Sequence, residues 1–481
     1  MYWLKNIATV STLIFLDLIA FSVSFVLAFQ TRRFVDVIFP QIIPFNLALS
    51  HFFQFWWIPL IFISFFAYEK LYVKRLPFWD ETKELIKAVT ISIVVVLSIV
   101  TLGKLTEKIS RLTMTFLWIY GLFLFPMFRL FGKNILYKSG LWRENVIIIG
   151  AGRAGTETAR GIISQRHLGY NVIGFLDDAD EKIGSKVDID GGKYKVFGKI
   201  RNFGKFVNLL NISTVIVATP SLRAEKMTEI TNNIQRYTKN ILLIPDLKGI
   251  ALTNTELYYL FMQQLFVIQV KNNLKSVFNR LAKRIFDIVI SILLMPFILA
   301  TTGIVGILIK ICSPGPIFYS HPRVGRNGKT INIYKFRTMY RDAKERLEKI
   351  LCSDPDAKKE WETFFKLKND PRVTRIGNFL RKTSLDELPQ IFNVLKGEMS
   401  LVGPRPVVEK EIKDYYKRYA DYYFMVTPGI TGLWQVSGRN DTDYDFRINL
   451  DKWYVLNWSL WLDIVILFKT IKVVFKREGA Y

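Results

Sequence analysis

The chain has 481 residues, half of them hydrophobic, and its 66 Lys and Arg against 41 Asp and Glu leave a formal charge of +25. This is a membrane protein's composition with room for two or three domains, and its excess positive charge suits anionic lipid and phosphate. The absence of zinc-finger spacing, a helix-turn-helix signal or an aromatic RNA-binding signature argues against nucleic acid as the partner.

Four apolar runs, near residues 7–29, 52–68, 85–103 and 112–131, predict a transmembrane four-helix bundle over residues 1–143. The first run is too long for a signal-peptide core and lacks a small-residue cleavage site, so it reads as a retained span. Lys70, Lys74, Arg75, Lys83 and Lys87 separate the second and third runs, and Lys133, Lys138 and Arg143 follow the fourth; the other two loops carry fewer cations. That bias places both ends of the bundle on the cytoplasmic side. Asp17, inside the first run, is expected to pair within the bundle.

Residues 144–270 open with Asn145-Val146-Ile147-Ile148-Ile149-Gly150-Ala151-Gly152-Arg153-Ala154-Gly155, a buried strand entering a glycine-rich turn and a helix. With further strands at 172–176 and 214–218, this predicts a Rossmann-like α/β domain in which Gly150, Gly152 and Gly155 form a vestigial nucleotide-binding turn. Asp177 or Asp178 stands where a ribose-binding acid would. No Tyr-x-x-x-Lys couple occurs between Gly150 and Lys271, so a structural or regulatory module is favoured over a redox site.

Residues 271–481 form the third expected domain. Its apolar segment, 285–309, would be about 37 Å long as a straight helix, enough to cross a bilayer. Arg280, Lys283 and Arg284 precede it, Lys310, Arg323, Arg326 and Lys329 follow it, and Pro296 sits near its middle. Cytoplasmic charge on both flanks and a central helix breaker predict a re-entrant helix hairpin, with an ordinary fifth span as the alternative.

Beyond Cys312 the chain becomes polar and dense in Pro, Gly and Arg: Pro322-Arg323-Val324-Gly325-Arg326, Tyr334-Lys335-Phe336-Arg337-Thr338, Gly403-Pro404-Arg405-Pro406, Thr427-Pro428-Gly429-Ile430-Thr431-Gly432 and Ser437-Gly438-Arg439. Arginines in rigid turns suit a diphosphate, because the planar fork binds phosphate oxygens in pairs. Among them lies Arg381-Lys382-Thr383-Ser384-Leu385-Asp386-Glu387-Leu388-Pro389-Gln390. Read alone, this stretch could be a helix start with Ser384 as cap and Glu387 closing a capping box. Read with its neighbours, its adjacent carboxylates suit nucleophilic or metal-assisted chemistry on phosphate. Two cysteines and three histidines without metal spacing leave a hard ion such as Mg²⁺, held by carboxylates and phosphate oxygens, as the expected metal.

This ordered set resembles the bacterial sugar transferase family, the polyprenyl-phosphate hexose-1-phosphate transferases, in its long form. The resemblance implies a mostly α catalytic domain at the cytoplasmic face of a bacterial inner membrane, with a UDP-sugar and undecaprenyl phosphate as substrates. It implies Asp386 as nucleophile, Glu387 as Mg²⁺ ligand, and Lys335, Arg337, Arg381, Arg405 and Arg439 near the phosphates. Asp451 also matches a family motif, with a role that could be structural. One departure concerns the helix break: Met295 stands before Pro296 where family members often have Ser. A homodimer is compatible with this layout. The rival functions are an NAD-dependent nucleotide-sugar dehydratase or epimerase built on residues 150–155, and a non-catalytic scaffold of glycan assembly.

Overall fold

Apolar runs of membrane length become helices because in hydrocarbon every backbone amide must bond within its own segment. The computed structural model describes residues 2–40, 54–105, 109–238, 240–245, 255–260, 265–353, 370–438 and 444–476. Helices α1 (Tyr2–Ile38), α2 (Trp57–Tyr68), α3 (Phe78–Leu102) and α4 (Arg111–Lys138) form the N-terminal bundle. Three of them are long and apolar enough to cross a membrane, and a fourth such helix, Val277–Cys312, lies in the C-terminal half. The second expected run yields only the 12 residues of α2, about 18 Å of helix, with the preceding residues up to 53 outside those described.

Aromatic rings fill the bundle core: Phe125 stacks on Phe62 at 5.8 Å and meets Phe66 edge-on at 5.1 Å. Buried beside them is an ionic cluster. Arg129 grips both oxygens of Asp17 at 2.6 and 3.0 Å and reaches Glu81 at 3.2 Å, while Lys133 holds the same Glu81 oxygen at 2.7 Å. Two cations and two carboxylates offset one another, as charges removed from water must.

The α/β module comprises β1 (Glu144–Ile149), α5 (Arg153–Ser164), β2 (Tyr170–Leu176), β3 (Lys186–Ile189), β4 (Gly192–Val196), α6 (Phe203–Leu210), β5 (Thr214–Val217), α7 (Ala224–Gln235) and β6 (Asn240–Leu243). Its sheet has the order β3-β4-β2-β1-β5-β6, parallel except for the edge strand β3. The unbroken apolar run in β1 follows from burial on both faces, each carrying its own hydrophobic cluster. Arg75, between α2 and α3, locks bundle to module. It donates to Trp142 O and Leu168 O at 3.0 and 2.9 Å, pairs with Glu144 at 2.9 Å, and stacks on the Trp142 ring. Bundle and module accordingly make one compact unit, Met1–Lys248.

The second unit, Gly249–Tyr481, begins with the hairpin β7 (Thr255–Leu260) and β8 (Leu265–Val270). Then come α8 (Val277–Cys312), the antiparallel pair β9 (Phe318–Val324) and β10 (Thr330–Phe336), α9 (Ala343–Ser353), α10 (Arg375–Lys382) and α11 (Ile391–Lys396). Two short parallel strands, β11 (Ser400–Val402) and β12 (Gly429–Thr431), and helices α12 (Tyr444–Leu456) and α13 (Leu460–Lys476) complete it.

Helix α8 has two faces along its whole length. Asp287, Ser291, Ile298, Val305 and Ile309 are buried against the domain, while Ile285, Ile292, Phe297, Ile304 and Ile311 are exposed. Near its start Lys283 bonds Asp463 (2.6 Å) and Val402 O (3.1 Å), and Arg284 bonds Val394 O and Leu395 O. Asp287 accepts from Ser400 Oγ at 2.8 Å. At the other end Arg337 donates to Ser313 O and Pro314 O at 2.5 and 3.0 Å. The helix continues through Pro296, so the expected break is no interruption. Helix α13 likewise buries Val465 and Ile466 and exposes Phe468 and Ile471.

Candidate active site

The dyad sits on the short segment that joins α10 to α11. Thr374 caps α10, its hydroxyl accepting from Gly377 N at 2.9 Å. The first turn of α10 rests on the segment just after β10 so closely that a Cβ on Gly377 would lie 2.0 Å from Thr338 O, hence the glycine. After Lys382 the chain reverses at Ser384, whose φ of 56° is left-handed, a conformation that side chains other than Gly adopt at a cost. Leu385–Gln390 then forms a tight 3₁₀ turn that presents Asp386 and Glu387 and passes into α11. Ser384 makes no capping bond, so the capping box that the spacing allows is not what holds this turn. Leu385 and Leu388 anchor it in a cluster with Val305 and Ile309 of α8, Phe336 and Leu380.

Three of the five expected cations converge on the carboxylates. Lys335, from β10, donates to Glu387 Oε1 at 2.7 Å and lies 3.8 Å from Asp386 Oδ2. Arg405 comes within 3.6 Å of the same Glu387 oxygen. Arg381 donates through Nε to Thr338 Oγ1 at 3.1 Å and attracts Asp386 electrostatically. Burial pushes the Asp386 carboxyl above its ordinary range, and Glu387 adds to that push; Lys335, Arg381 and Arg405 pull it back. The side chains of Asp386 and Glu387 keep 14% and 18% exposure, so the pair is recessed yet open.

Arg405 owes its place to glycines. The Gly403-Pro404-Arg405-Pro406 loop lies on the 427–432 segment so tightly that a Cβ on Gly429 would be 2.1 Å from Gly403 N, and one on Gly432 2.3 Å from Gly403 O. Arg337, by contrast, directs its guanidinium at the carbonyls ending α8. Arg439 lies outside the described residues. Asp451 is buried on the Tyr416 hydroxyl at 2.7 Å, and burial raises its carboxyl to about 6. Among the described residues no group of three or more His, Cys, Asp or Glu is placed to hold a metal. Two adjacent carboxylates still suit a hard ion that completes its shell with phosphate oxygens and water.

Sequence reasoning did not single out Thr338 or the Lys283–Asp463 pair, in which Asp463 also accepts from Tyr454 and Trp458, and it read Ser384 as a cap rather than as a left-handed residue. The Lys283–Asp463 pair had a visible signal: basic residues at the mouth of an apolar helix and one acid in an aromatic stretch near the C-terminus.

The glycine-rich turn of the first unit is occupied by its own chain. Asp177 accepts from Ala151 N at 2.8 Å, Ala179 N at 3.0 Å and Lys182 Nζ at 3.1 Å, bonds that hold its carboxyl below the ordinary range despite partial burial. Gly150 has φ +98°, and a Cβ on Gly155 would meet Gly150 O at 1.9 Å, whereas nothing lies within 4 Å of a Cβ on Gly152. Gly155 thus serves packing of helix on turn, and Gly150 the positive-φ backbone of the turn and its close approach to Ala218 and Thr219.

Comparison with known proteins accords with this arrangement. A family model described as bacterial sugar transferase matches residues 278–477, and one described as CoA-binding domain matches residues 72–245. The chain is 41% identical over 414 residues to the undecaprenyl-phosphate galactose phosphotransferase of Salmonella typhimurium, covering 85% of this chain and 84% of that protein. It is 41% identical over 416 residues to the UDP-galactose-lipid carrier transferase of Erwinia amylovora, covering 85% and 84%. To the UDP-glucose:undecaprenyl-phosphate glucose-1-phosphate transferase of Escherichia coli it is 32% identical over 357 residues, covering 73% and 72%. The chain belongs to the bacterial sugar transferase family.

Proposed function

We propose that this protein transfers a hexose 1-phosphate from a UDP-sugar to undecaprenyl phosphate, releasing UMP and priming a surface polysaccharide. The observation that carries this reading is the recessed Asp386–Glu387 pair, ringed by Lys335, Arg381 and Arg405 on a turn seated against the apolar helix α8. Three cations against two carboxylates leave net positive charge for a diphosphate. An Asp386 oxygen attacks the sugar-linked phosphorus, the bond to the uridine-bearing phosphate breaks, and UMP departs with that electron pair. An oxygen of undecaprenyl phosphate then attacks the phosphosugar-aspartate, regenerating the carboxylate. Glu387, with Asp386 beside it, is the residue to hold Mg²⁺, which supplies charge neutralisation of the diphosphate when bound. Lys335 fixes Glu387 and opposes the upward push of burial on the Asp386 carboxyl, favouring the ionised nucleophile.

Galactose is the favoured sugar, in line with the two relatives named for it. The acceptor reaches the site from the membrane: α8 anchors both ends on one domain and leaves an apolar face free, which supports insertion from one side of an inner membrane with the catalytic unit cytoplasmic. The dehydratase reading finds no support at the glycine-rich turn, where Asp177 already takes the Ala151 amide.

The deciding experiment incubates purified protein with Mg²⁺, undecaprenyl phosphate and radiolabelled UDP-sugars. Labelled lipid and equimolar UMP are expected, greatest with UDP-galactose. NADH formation or sugar epimerisation without lipid labelling would overturn the reading, as would full activity of Asp386→Asn.

A further inference from the structure

In the first unit, at the starting ends of β1 and β2 and so away from the glycine-rich turn, a cavity of about 280 Å³ opens beside the last turn of α4. Lys138, Arg143 and Arg166 line it together with Tyr137, Tyr170 and Tyr194, and no carboxylate does. Arg143 is steered by the Tyr137 carbonyl at 3.3 Å and by stacking on the Tyr137 ring. Lys138 and Arg166 are exposed, and among the described residues neither is in an ion pair. Nothing in the transferase site accounts for three cations gathered around a tyrosine-walled hollow.

Helix α4 indicates the source of the anion. Phe123, Met127, Phe131 and Ile135 are each at least half exposed, and their spacing of four puts them in one stripe. Lys138 follows Ile135 by three residues, on the same face. The stripe is about 18 Å long, close to the depth of one leaflet. A lipid lying along it would carry its headgroup to Lys138 and the cavity, where tyrosines and basic residues are the groups expected at a membrane–water boundary.

We infer that this cavity binds a phosphate-bearing headgroup, that of an anionic phospholipid whose acyl chain lies along the α4 stripe. The inference does not rest on the proposed reaction.

The test follows thermal unfolding of full-length, delipidated protein in neutral detergent, titrated with phosphatidylglycerol, phosphatidylcholine or inorganic phosphate. Phosphatidylglycerol is expected to raise the melting temperature saturably and phosphatidylcholine to leave it unchanged. The double variant Lys138→Gln/Arg166→Gln should need about tenfold or more lipid for half the effect, and Lys138→Arg/Arg166→Lys should respond as wild type. Native mass spectrometry of the same samples should count one fewer retained phosphatidylglycerol in the Gln variant. Equal responses of wild type and the Gln variant would overturn the site. Saturation by inorganic phosphate at the lipid's concentration would overturn the lipid as its occupant.

Discussion

Two turns in this chain look alike as sequence: each leads into a helix, each has an acid nearby, and each could serve a phosphate. At the glycine-rich turn, Asp177 supplies the negative charge from within, satisfied by two amides and Lys182. At the dyad, Lys335, Arg381 and Arg405 face two carboxylates, and the balance is positive. A turn whose charges are already matched needs no ligand to satisfy them, whereas one that holds surplus charge in a recess is equipped to take up a ligand.

The sharpest break of this contrast is Asp386→Asn, which should lower label transfer to lipid by at least about a thousandfold while leaving the melting temperature close to wild type. Next is Lys335→Met, expected to reduce transfer about tenfold to a hundredfold at neutral pH. The sign of its pH effect is fixed by the local charges. Burial raises the Asp386 pKa and Lys335 lowers it, and only the ionised carboxylate attacks, so activity falls as pH drops through that pKa. Removing Lys335 moves the acid limb of the pH–rate profile to higher pH; a limb that stays put would separate Lys335 from the nucleophile.

In the other turn, Gly155→Ala should destabilise the first unit by about 2 kcal/mol or more, because its methyl would meet Gly150 O, while Gly152→Ala should be nearly silent. Thermal unfolding of the two variants checks this. A nucleotide-binding turn would show the reverse sensitivity in ligand binding, Gly152 being the open position. The smallest effect is expected at Ser384: Gly should keep or slightly raise stability, and Val should cost about 1–2 kcal/mol with a lowered kcat, since the left-handed residue aims the dyad.

The apolar runs foretold the bundle helices, the buried strand β1 and the apolar helix α8, though not its continuity through Pro296, because each follows from local periodicity. The 403–406 and 427–432 motifs were visible as glycine and proline clusters, but their mutual contact through Gly403 and Gly429 is a long-range fact that no window contains. Arg337 shows the same limit. Its place in a basic motif says phosphate, and only the fold shows it on the carbonyls ending α8. Helix–module locking by Arg75 was likewise hidden, because a cation in a loop between apolar runs reads first as a topology signal.

The central claim is that Asp386 itself carries the phosphosugar between a soluble donor and a lipid acceptor. Its most direct test is a single-turnover reaction with UDP-sugar labelled in the sugar-linked phosphate, Mg²⁺ present and undecaprenyl phosphate withheld. A burst of UMP approaching one per enzyme, with label on Asp386 that later chases into added lipid, is the predicted result. UMP release that waits for the lipid, or label retained by Asp386→Asn, would contradict it.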